Sequence, residues 1–303
     1  MLTEDKIKEL EERQYRFVGN HSAVRTCNWL KESLRCDDVC YKQKFYSIES
    51  HRCLQMTPAL LCNQRCRHCW RDTSFFSTEW EGSVDDPVDI IDGCIEAQRE
   101  LISGFGGNEY VPEQKLEEAK KPNQAAISLT GEPMFYPRIS ELIEELHRRD
   151  FTTFLVTNGT FPERIKELKE LPTNLYISVE APNEELYRKH CGPVEEDNWD
   201  KLQETLGLID QLNTTTVLRI TCIEGTNMHL TEEFAELAQE AGFDYIEAKA
   251  YMHVGYSQER MDRSAMPSHR SVKRFAERIE ENSNYGVSDE QERSRVVLLE
   301  RKR

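Results

Sequence analysis

The feature that most constrains the fold is a repeated alternation of short β-prone runs with helical patterns. Six such runs occur, at residues 56–61, 125–129, 153–157, 175–179, 216–221 and 244–249. The clearest helix lies between the second and third runs, where Ile139, Leu142, Ile143 and Leu146 follow the i, i+3, i+4, i+7 spacing of one helix face. Strands that alternate with helices pair in parallel through crossover connections.

Six strand–helix units predict an α/β protein with a partial (β/α)6 TIM-like barrel, since a full barrel has eight units. An open doubly wound sheet is the alternative, although no G-x-G-x-x-G motif follows a strand. In both architectures the chemistry lies at the C-terminal ends of the strands. We expect an N-terminal helix and a cysteine-rich region over 1–54, irregular over 18–54, the barrel over 55–285, and a charged tail over 286–303.

Charge and hydropathy exclude several classes of protein. The chain has 303 residues and a net charge of −16, and no stretch reaches the ~20 apolar residues that a membrane span needs. The N-terminus is an acidic amphipathic helix without the features of a signal peptide, so we expect a cytoplasmic protein. Residues 13–71 nevertheless carry eleven basic and only four acidic side chains. This basic segment is a candidate site for a polyanion.

Seven of the ten cysteines fall between Cys27 and Cys69. Directly after the first strand, Cys62, Cys66 and Cys69 have the spacing C-x3-C-x2-C. Three thiolates in one loop can hold three irons of a 4Fe–4S cluster and leave the fourth iron open for chemistry. The segment resembles the signature of the radical S-adenosylmethionine (SAM) superfamily, which implies that the open iron binds SAM.

The alternative for this loop is a zinc site, with His68 as a fourth ligand beside the three cysteines. Because His68 is adjacent to Cys69, the two side chains cannot easily share one tetrahedral ion with the other two ligands. We therefore favour the iron–sulfur interpretation.

Polar residues follow the next three strands, where a barrel would place its site. Thr130, Gly131 and Glu132 are similar to the Gly-Gly-Glu-type motif of the superfamily, which implies contacts with the amino group of SAM. Asn158 follows the third strand. Ser178 and Glu180 follow the fourth and share one side of it, because alternate strand residues point the same way. The resemblance implies that the SAM-binding residues are Thr130, Gly131, Glu132, Asn158, Ser178 and Glu180.

A second cysteine set lies upstream: Cys27, Cys40 and Cys53, each thirteen residues apart, with Cys36 out of step. Such loops are too long for a compact zinc knuckle, but they can surround a second 4Fe–4S cluster. Lys42 and Lys44 lie within this set. Their amines are either nucleophiles for a carbonyl or solvated phosphate contacts.

Together, the two cysteine triads and the segment Cys40-Tyr-Lys-Gln-Lys-Phe-Tyr46 resemble the archaeal tRNA 4-demethylwyosine synthases over about residues 21–270. The resemblance implies two 4Fe–4S clusters, SAM, and a lyase that condenses N1-methylguanosine of tRNA-Phe with two carbons of pyruvate. It also implies that Lys42, or Lys44 if the alignment slips, forms a Schiff base with pyruvate. An external electron donor and a monomer are expected.

Within this interpretation, the anticodon stem meets the basic segment, whose relevant residues are Arg25, Lys31, Arg35, Arg52, Arg65, Arg67 and Arg71. Two other functions are compatible with the residues alone. The first is a radical SAM enzyme that acts on a protein or small molecule and uses the second cluster as an electron relay. The second is a zinc-stabilised RNA-binding module without catalysis.

Overall fold

The computed structural model describes residues 3–302, and these form two compact units. The first unit comprises residues 3–62, 77–156 and 168–173. The second comprises residues 63–76, 157–167 and 174–302. Across residues 3–302, no helix has both the length and the apolar character required to span a membrane.

The first unit carries five strands and most of the N-terminal helices. Its helices are α1 (Glu4–Glu12), α2 (Asn28–Leu34), α3 (Tyr41–Tyr46), α4 (Pro87–Ile102), α5 (Glu113–Ala119) and α6 (Ile139–Arg148). Its strands are β1 (Arg16–Val18), β2 (Ser22–Val24), β3 (Cys53–Thr57), β4 (Gln124–Ile127) and β5 (Thr152–Thr157). The β1, β2 and β3 strands pair antiparallel, whereas β3, β4 and β5 pair in parallel.

Local sequence explains the boundaries of these elements. Asp86 caps α4 by accepting a hydrogen bond from the Val88 N–H at 2.9 Å, and Pro87 occupies the first helical position. On α6, the four apolar residues predicted to share one face are all buried. Their burial anchors the helix, because apolar area removed from water stabilises by about 25 cal/mol per Å².

The second unit carries the other five strands. Its helices are α7 (Pro162–Lys166), α8 (Glu184–Cys191), α9 (Asn198–Leu206), α10 (Thr231–Ala241) and α11 (His269–Glu281). Its strands are β6 (Asn174–Ser178), β7 (Thr215–Cys222), β8 (Tyr245–Ala250), β9 (Tyr285–Gln291) and β10 (Val296–Arg301). The β6, β7 and β8 strands pair in parallel, and β10 pairs antiparallel with both β8 and β9.

The six predicted runs correspond to β3 through β8, with the first displaced toward the N-terminus. Two expectations need correction. Residues 286–303 are not simply a charged tail, because β9 and β10 form an antiparallel pair whose apolar residues Val296 to Leu299 are buried against the sheet. Residues 18–54 are not irregular, since they contain β2, α2 and α3.

Candidate active site

In the first unit, the N-terminal cysteine triad lies at the beginnings of three elements. Cys27 and Cys40 are the cap residues that precede α2 and α3, and Cys53 is the first residue of β3. The Cys27 sulfur accepts a hydrogen bond from the Leu30 N–H at 3.3 Å. The unpaired N–H groups at a helix N-terminus favour negative charge, and a thiolate is the form of cysteine that binds iron.

The charge of Lys42 acts on two of the three cysteines, Cys27 and Cys53. Burial raises the pKa of the Cys53 thiol most, and the charges of Cys27 and Cys40 raise it further, while Lys42 opposes them. Burial also raises the pKa of Cys27, whereas the N–H groups that begin α2 and the charge of Lys42 lower it. The Cys53 thiol therefore lies within electrostatic range of the other two cysteines and of Lys42.

The structure distinguishes the two candidate lysines. Lys42 is buried, with 7% of its surface exposed, and its Nζ lies 4.1 Å from the centroid of the Phe154 ring. Lys44, two residues along α3, is exposed. Only the Lys42 amine combines burial with electrostatic contact to the cysteines.

Cys36, which belongs to neither triad, ends α2. Its backbone is left-handed at φ 60°, its N–H donates to the Ser33 carbonyl at 3.1 Å, and the Asp37 N–H donates to the Glu32 carbonyl at 3.0 Å. These two bonds form a Schellman motif, in which the left-handed residue terminates the helix. Cys36 is exposed and its place in the fold is that of a helix cap.

Thr130, Gly131 and Glu132 pack against the segment that leads into Cys62. The Glu132 N–H donates to the Leu61 carbonyl at 2.6 Å, and the Glu132 carboxylate accepts from the Met134 N–H at 3.0 Å. A Cβ on Gly131 would lie 2.4 Å from the Ala59 carbonyl oxygen, so this close approach requires glycine. The Thr130 hydroxyl is buried without a hydrogen-bond partner, which fits a bound polar ligand at this position.

In the second unit, residues 63–67 of the cysteine loop pair with the end of α8. The Arg65 N–H donates to the carbonyls of Cys191 and Gly192, both at 2.9 Å, and the Arg67 N–H donates to the His190 carbonyl at 3.0 Å. The backbone of this half of the loop is therefore held in a strand-like pairing.

Asn158 belongs to an amide network centred on Asn63, the residue after Cys62. The Asn158 Nδ2 donates to the Asn63 Oδ1 at 2.9 Å, and the Asn63 Nδ2 donates to the Thr160 hydroxyl at 2.9 Å and to Asn198 at 3.2 Å. The buried amides of Asn63 and Asn198 are thereby partnered. Asn158 helps to fix the loop, in addition to the SAM contact predicted for it.

Glu180 faces a pair of stacked histidines. The rings of His68 and His190 are 5.1 Å apart and nearly parallel, with the His68 Nδ1 3.0 Å from the His190 Nε2. The His68 Nε2 lies 3.5 Å from the Glu180 Oε1, which also accepts from the Thr221 hydroxyl at 3.1 Å. Burial raises the pKa of Glu180. Ser178, the last residue of β6, is half-buried.

These contacts argue against a zinc site at either triad. Both ring nitrogens of His68 are directed at other side chains, so His68 is not positioned as a fourth ligand. Within the described part of the first unit, Cys27, Cys40 and Cys53 do not all bring their sulfurs within 4.8 Å of one another. One tetrahedral zinc, with Zn–S bonds of about 2.3 Å, needs closer sulfurs, whereas a 4Fe–4S cluster takes each thiolate on a different iron.

Most of the basic segment is engaged within the protein. Arg35 pairs with Glu32 and Asp37, both at 3.0 Å, and Arg52 pairs with Glu49 at 2.9 Å. Arg71 is buried with its guanidinium 3.0 Å from the Trp70 ring, while Arg25, Lys31 and Arg65 are half-buried. Of the seven residues predicted to meet a polyanion, Arg67 is the exposed one.

Comparison with known proteins decides the family. The Radical SAM superfamily model matches residues 56–241, and a model described as wyosine base formation matches residues 240–301. An S-adenosyl-L-methionine-dependent tRNA 4-demethylwyosine synthase of Pyrococcus horikoshii is 48% identical over 303 residues, which cover 98% of this chain and 89% of the relative. The chain belongs to the tRNA 4-demethylwyosine synthase family.

Solved structures agree with this family. A structure described as TYW1 with a lysine–pyruvate adduct bound matches with a TM-score of 0.90 and 36% identity, covering 100% of this chain and 97% of that chain. Archaeal TYW1 matches with a TM-score of 0.83 and 33% identity, covering 99% and 97%. The expected radical SAM α/β fold is confirmed, and as a member of this superfamily the chain uses SAM and a 4Fe–4S cluster.

Three residues that shape the cysteine loop of this family member are not among the predicted site residues. Asn63 and Asn198 form the amide network, and Arg260 donates to backbone carbonyls of the loop. Asn63 could have been found from its position beside Cys62. Arg260 gives no comparable signal, because its partners lie about 190 residues away along the chain.

Proposed function

We propose that this chain is a tRNA 4-demethylwyosine synthase, a lyase that joins N1-methylguanosine of tRNA-Phe to two carbons of pyruvate. The observation that carries the proposal is Lys42, a buried amine within electrostatic contact of Cys27 and Cys53. The family membership supports the same activity, and a related protein has been described with a lysine–pyruvate adduct.

Cys62, Cys66 and Cys69 are proposed as the ligands of the cluster that binds SAM. The proposed SAM contacts are Thr130, Gly131, Glu132, Asn158, Ser178 and Glu180. Cluster and SAM together, when bound, would supply a 5′-deoxyadenosyl radical that removes a hydrogen atom from the base methyl group. The unpartnered hydroxyl of Thr130 and the buried carboxylate of Glu180 are polar groups suited to such a ligand.

Cys27, Cys40 and Cys53 are proposed as ligands of a second 4Fe–4S cluster. Two of these thiols stand at helix N-termini, and at Cys27 the helix N–H groups oppose the rise in pKa that burial causes. Three protein ligands would leave one iron open for pyruvate.

Lys42 is proposed as the residue that binds pyruvate covalently. The neutral amine attacks the ketone carbon, the carbonyl oxygen leaves as water with the two amine hydrogens, and an imine remains. Phe154 packs against the amine and limits the access of water that would hydrolyse the imine. Lys44 is exposed, so we assign it no covalent role.

The tRNA would present its base to this site out of the anticodon stack, as enzymes that act on a base require. Arg67, exposed within the cysteine loop, is the proposed first contact for a phosphate. We also propose that the electron comes from a separate flavodoxin or ferredoxin type of protein, and that the protein acts as a monomer in the cytoplasm.

Nucleoside analysis of tRNA from cells that lack this gene tests the function. We expect N1-methylguanosine to accumulate in place of the tricyclic base. A plasmid copy of the gene should restore the tricyclic base, and a Lys42→Arg copy should not. Unchanged tricyclic base in the deletion strain would refute the proposed activity.

A further inference from the structure

The cysteine loop has a second half, residues 67–71, and three of its carbonyls converge on a single side chain. The Arg260 Nε donates to the Arg67 carbonyl at 3.3 Å, and the Arg260 Nη2 donates to the Arg71 carbonyl at 3.1 Å and to the Cys69 carbonyl. In return, the Arg67 Nη2 donates to the Arg260 carbonyl at 3.2 Å. One planar guanidinium thus spans the chain on both sides of Cys69.

Arg260 is itself held rigidly. Its N–H donates to the Ser257 carbonyl at 3.1 Å, and Ser257 is fully buried. The Ser257 hydroxyl donates to the Val254 carbonyl at 2.7 Å and accepts from the Tyr251 hydroxyl at 2.9 Å. This chain of bonds anchors the turn that carries Arg260 to the end of β8.

The same turn touches the loop through its backbone as well. The Tyr256 N–H donates to the Trp70 carbonyl at 3.0 Å. Gly255 has φ +58°, and a Cβ there would lie 2.3 Å from the Trp70 carbonyl oxygen, so the close contact requires glycine. Residues 255–260 therefore donate hydrogen bonds to four carbonyls of the loop, those of Arg67, Cys69, Trp70 and Arg71.

We propose that Arg260 is a positioning residue for the SAM-binding cluster. Its guanidinium orients the Cys69 thiolate and places a fixed positive charge beside the cluster. The proposal rests on the assignment of Cys62, Cys66 and Cys69 as its ligands. An Arg is suited to this task because its five donors lie in one rigid plane, whereas a Lys ammonium is a point charge on a flexible stem.

Charge and geometry are separated by comparing Arg260→Lys with Arg260→Gln in the full chain. Arg260→Gln removes the positive charge and leaves one amide NH2 in place of the five guanidinium donors. Arg260→Lys keeps the charge but cannot span three carbonyls. Arg263→Gln is the matched control, because Arg263 is exposed on the next turn and the same charge is removed there.

Two measurements apply to each protein. The first is hydrogen exchange of the amides of residues 67–71, before and after anaerobic reconstitution with iron and sulfide. Both Arg260 variants should exchange about tenfold faster here, and Arg263→Gln should match the unmodified protein. The second is the reduction potential of the cluster whose electron paramagnetic resonance signal changes on addition of SAM. We expect a more negative potential in Arg260→Gln alone.

Unchanged exchange and unchanged SAM-dependent signal in Arg260→Gln would overturn the proposal. If Arg260→Gln does not fold, unchanged exchange in a folded Arg260→Lys protein overturns it instead. Absence of any SAM-dependent signal in the unmodified protein would refute the ligand assignment, while the exchange data still test the role of Arg260 in the loop. SAM cleavage can be measured in the absence of tRNA, so the result for Arg260 does not depend on the proposed tRNA activity.

Discussion

Lys42 and Phe154 are in direct contact, with the Lys42 Nζ 4.1 Å from the centroid of the Phe154 ring. The lysine comes from α3 and the phenylalanine from β5, so the contact joins the N-terminal cysteine-rich region to a barrel strand. A buried amine against an aromatic face is poorly accessible to solvent and close to the Cys27 and Cys53 thiols. This relationship supports a covalent role for Lys42.

Covalent capture of pyruvate should depend on Lys42. Borohydride reduces an imine to a stable amine, so treatment with pyruvate and borohydride should add the reduced pyruvate mass to the peptide that contains Lys42. Lys42→Arg should abolish this addition and lower turnover by at least about 10³-fold, because the nucleophile is lost. Lys44→Arg is the matched control and should retain both. Full turnover by a protein whose Lys42 is never modified would contradict the Schiff-base role.

The iron content of the protein should show whether the second cysteine triad holds a cluster. Anaerobic reconstitution should give about eight irons per chain if both triads hold clusters. Cys40→Ser should lower this number to about four while SAM-dependent spectral changes remain. Cys36→Gly should keep about eight irons and raise the stability by roughly 0.5–1 kcal/mol, because glycine adopts the left-handed conformation without strain. Loss of iron in Cys36→Gly would make Cys36 a ligand.

The contact of Gly131 with the segment before Cys62 should be intolerant of a side chain. Gly131 and Gly225 share a left-handed backbone, with φ +69° and +71°, but a Cβ meets two carbonyl oxygens at Gly131 and nothing within 4 Å at Gly225. Gly225→Ala should cost about 1–2 kcal/mol from backbone strain alone. Gly131→Ala should cost roughly 1–3 kcal/mol more. Chemical denaturation of the iron-free proteins measures the difference, and equal losses would contradict the close packing.

The buried His190 should make the protein less stable in acid. Burial, together with the charge of His68, lowers the pKa of His190 from 6.5 to about 3, although Glu180 opposes the shift. Below pH 6.5 this histidine is therefore protonated in the unfolded chain, whereas it stays neutral in the folded protein until the pH approaches about 3. Stability should fall by up to about 1.4 kcal/mol per pH unit as the pH drops from 6.5 toward 3.

His190→Gln should remove this contribution and flatten the decline between pH 6.5 and 4, whatever its effect on stability at pH 7. His229→Gln, at an exposed position, serves as the control and should keep the original slope. Denaturation of iron-free protein at several pH values gives the slopes. Identical slopes in all three proteins would show that His190 does not set the acid sensitivity.

Much of the fold could be predicted because its signals are local. The helix face of Ile139, Leu142, Ile143 and Leu146 has a period that sequence displays directly, and all four residues are buried. The apolar run predicts a first strand at 56–61, whereas β3 spans Cys53–Thr57, because the apolar run continues past the end of the strand. The C-terminal strands were missed because charged residues interrupt their apolar pattern.

The cysteine triads could be predicted from spacing and resemblance, but the supports of the cysteine loop could not. Asn63 is held by Asn158 and Asn198, and residues 67–71 by Arg260, which are far away in sequence. Such contacts depend on how the chain folds back on itself, and no local pattern encodes them. The choice between Lys42 and Lys44 likewise required the burial that only the fold reveals.

The central claim is most directly tested by incubating reconstituted protein with SAM, a reductant, pyruvate and tRNA-Phe that contains N1-methylguanosine. Mass spectrometry of the digested tRNA should detect the tricyclic nucleoside, and omission of pyruvate should prevent its formation. Cleavage of SAM to 5′-deoxyadenosine with N1-methylguanosine left intact would contradict the claim and indicate a radical enzyme with a different substrate.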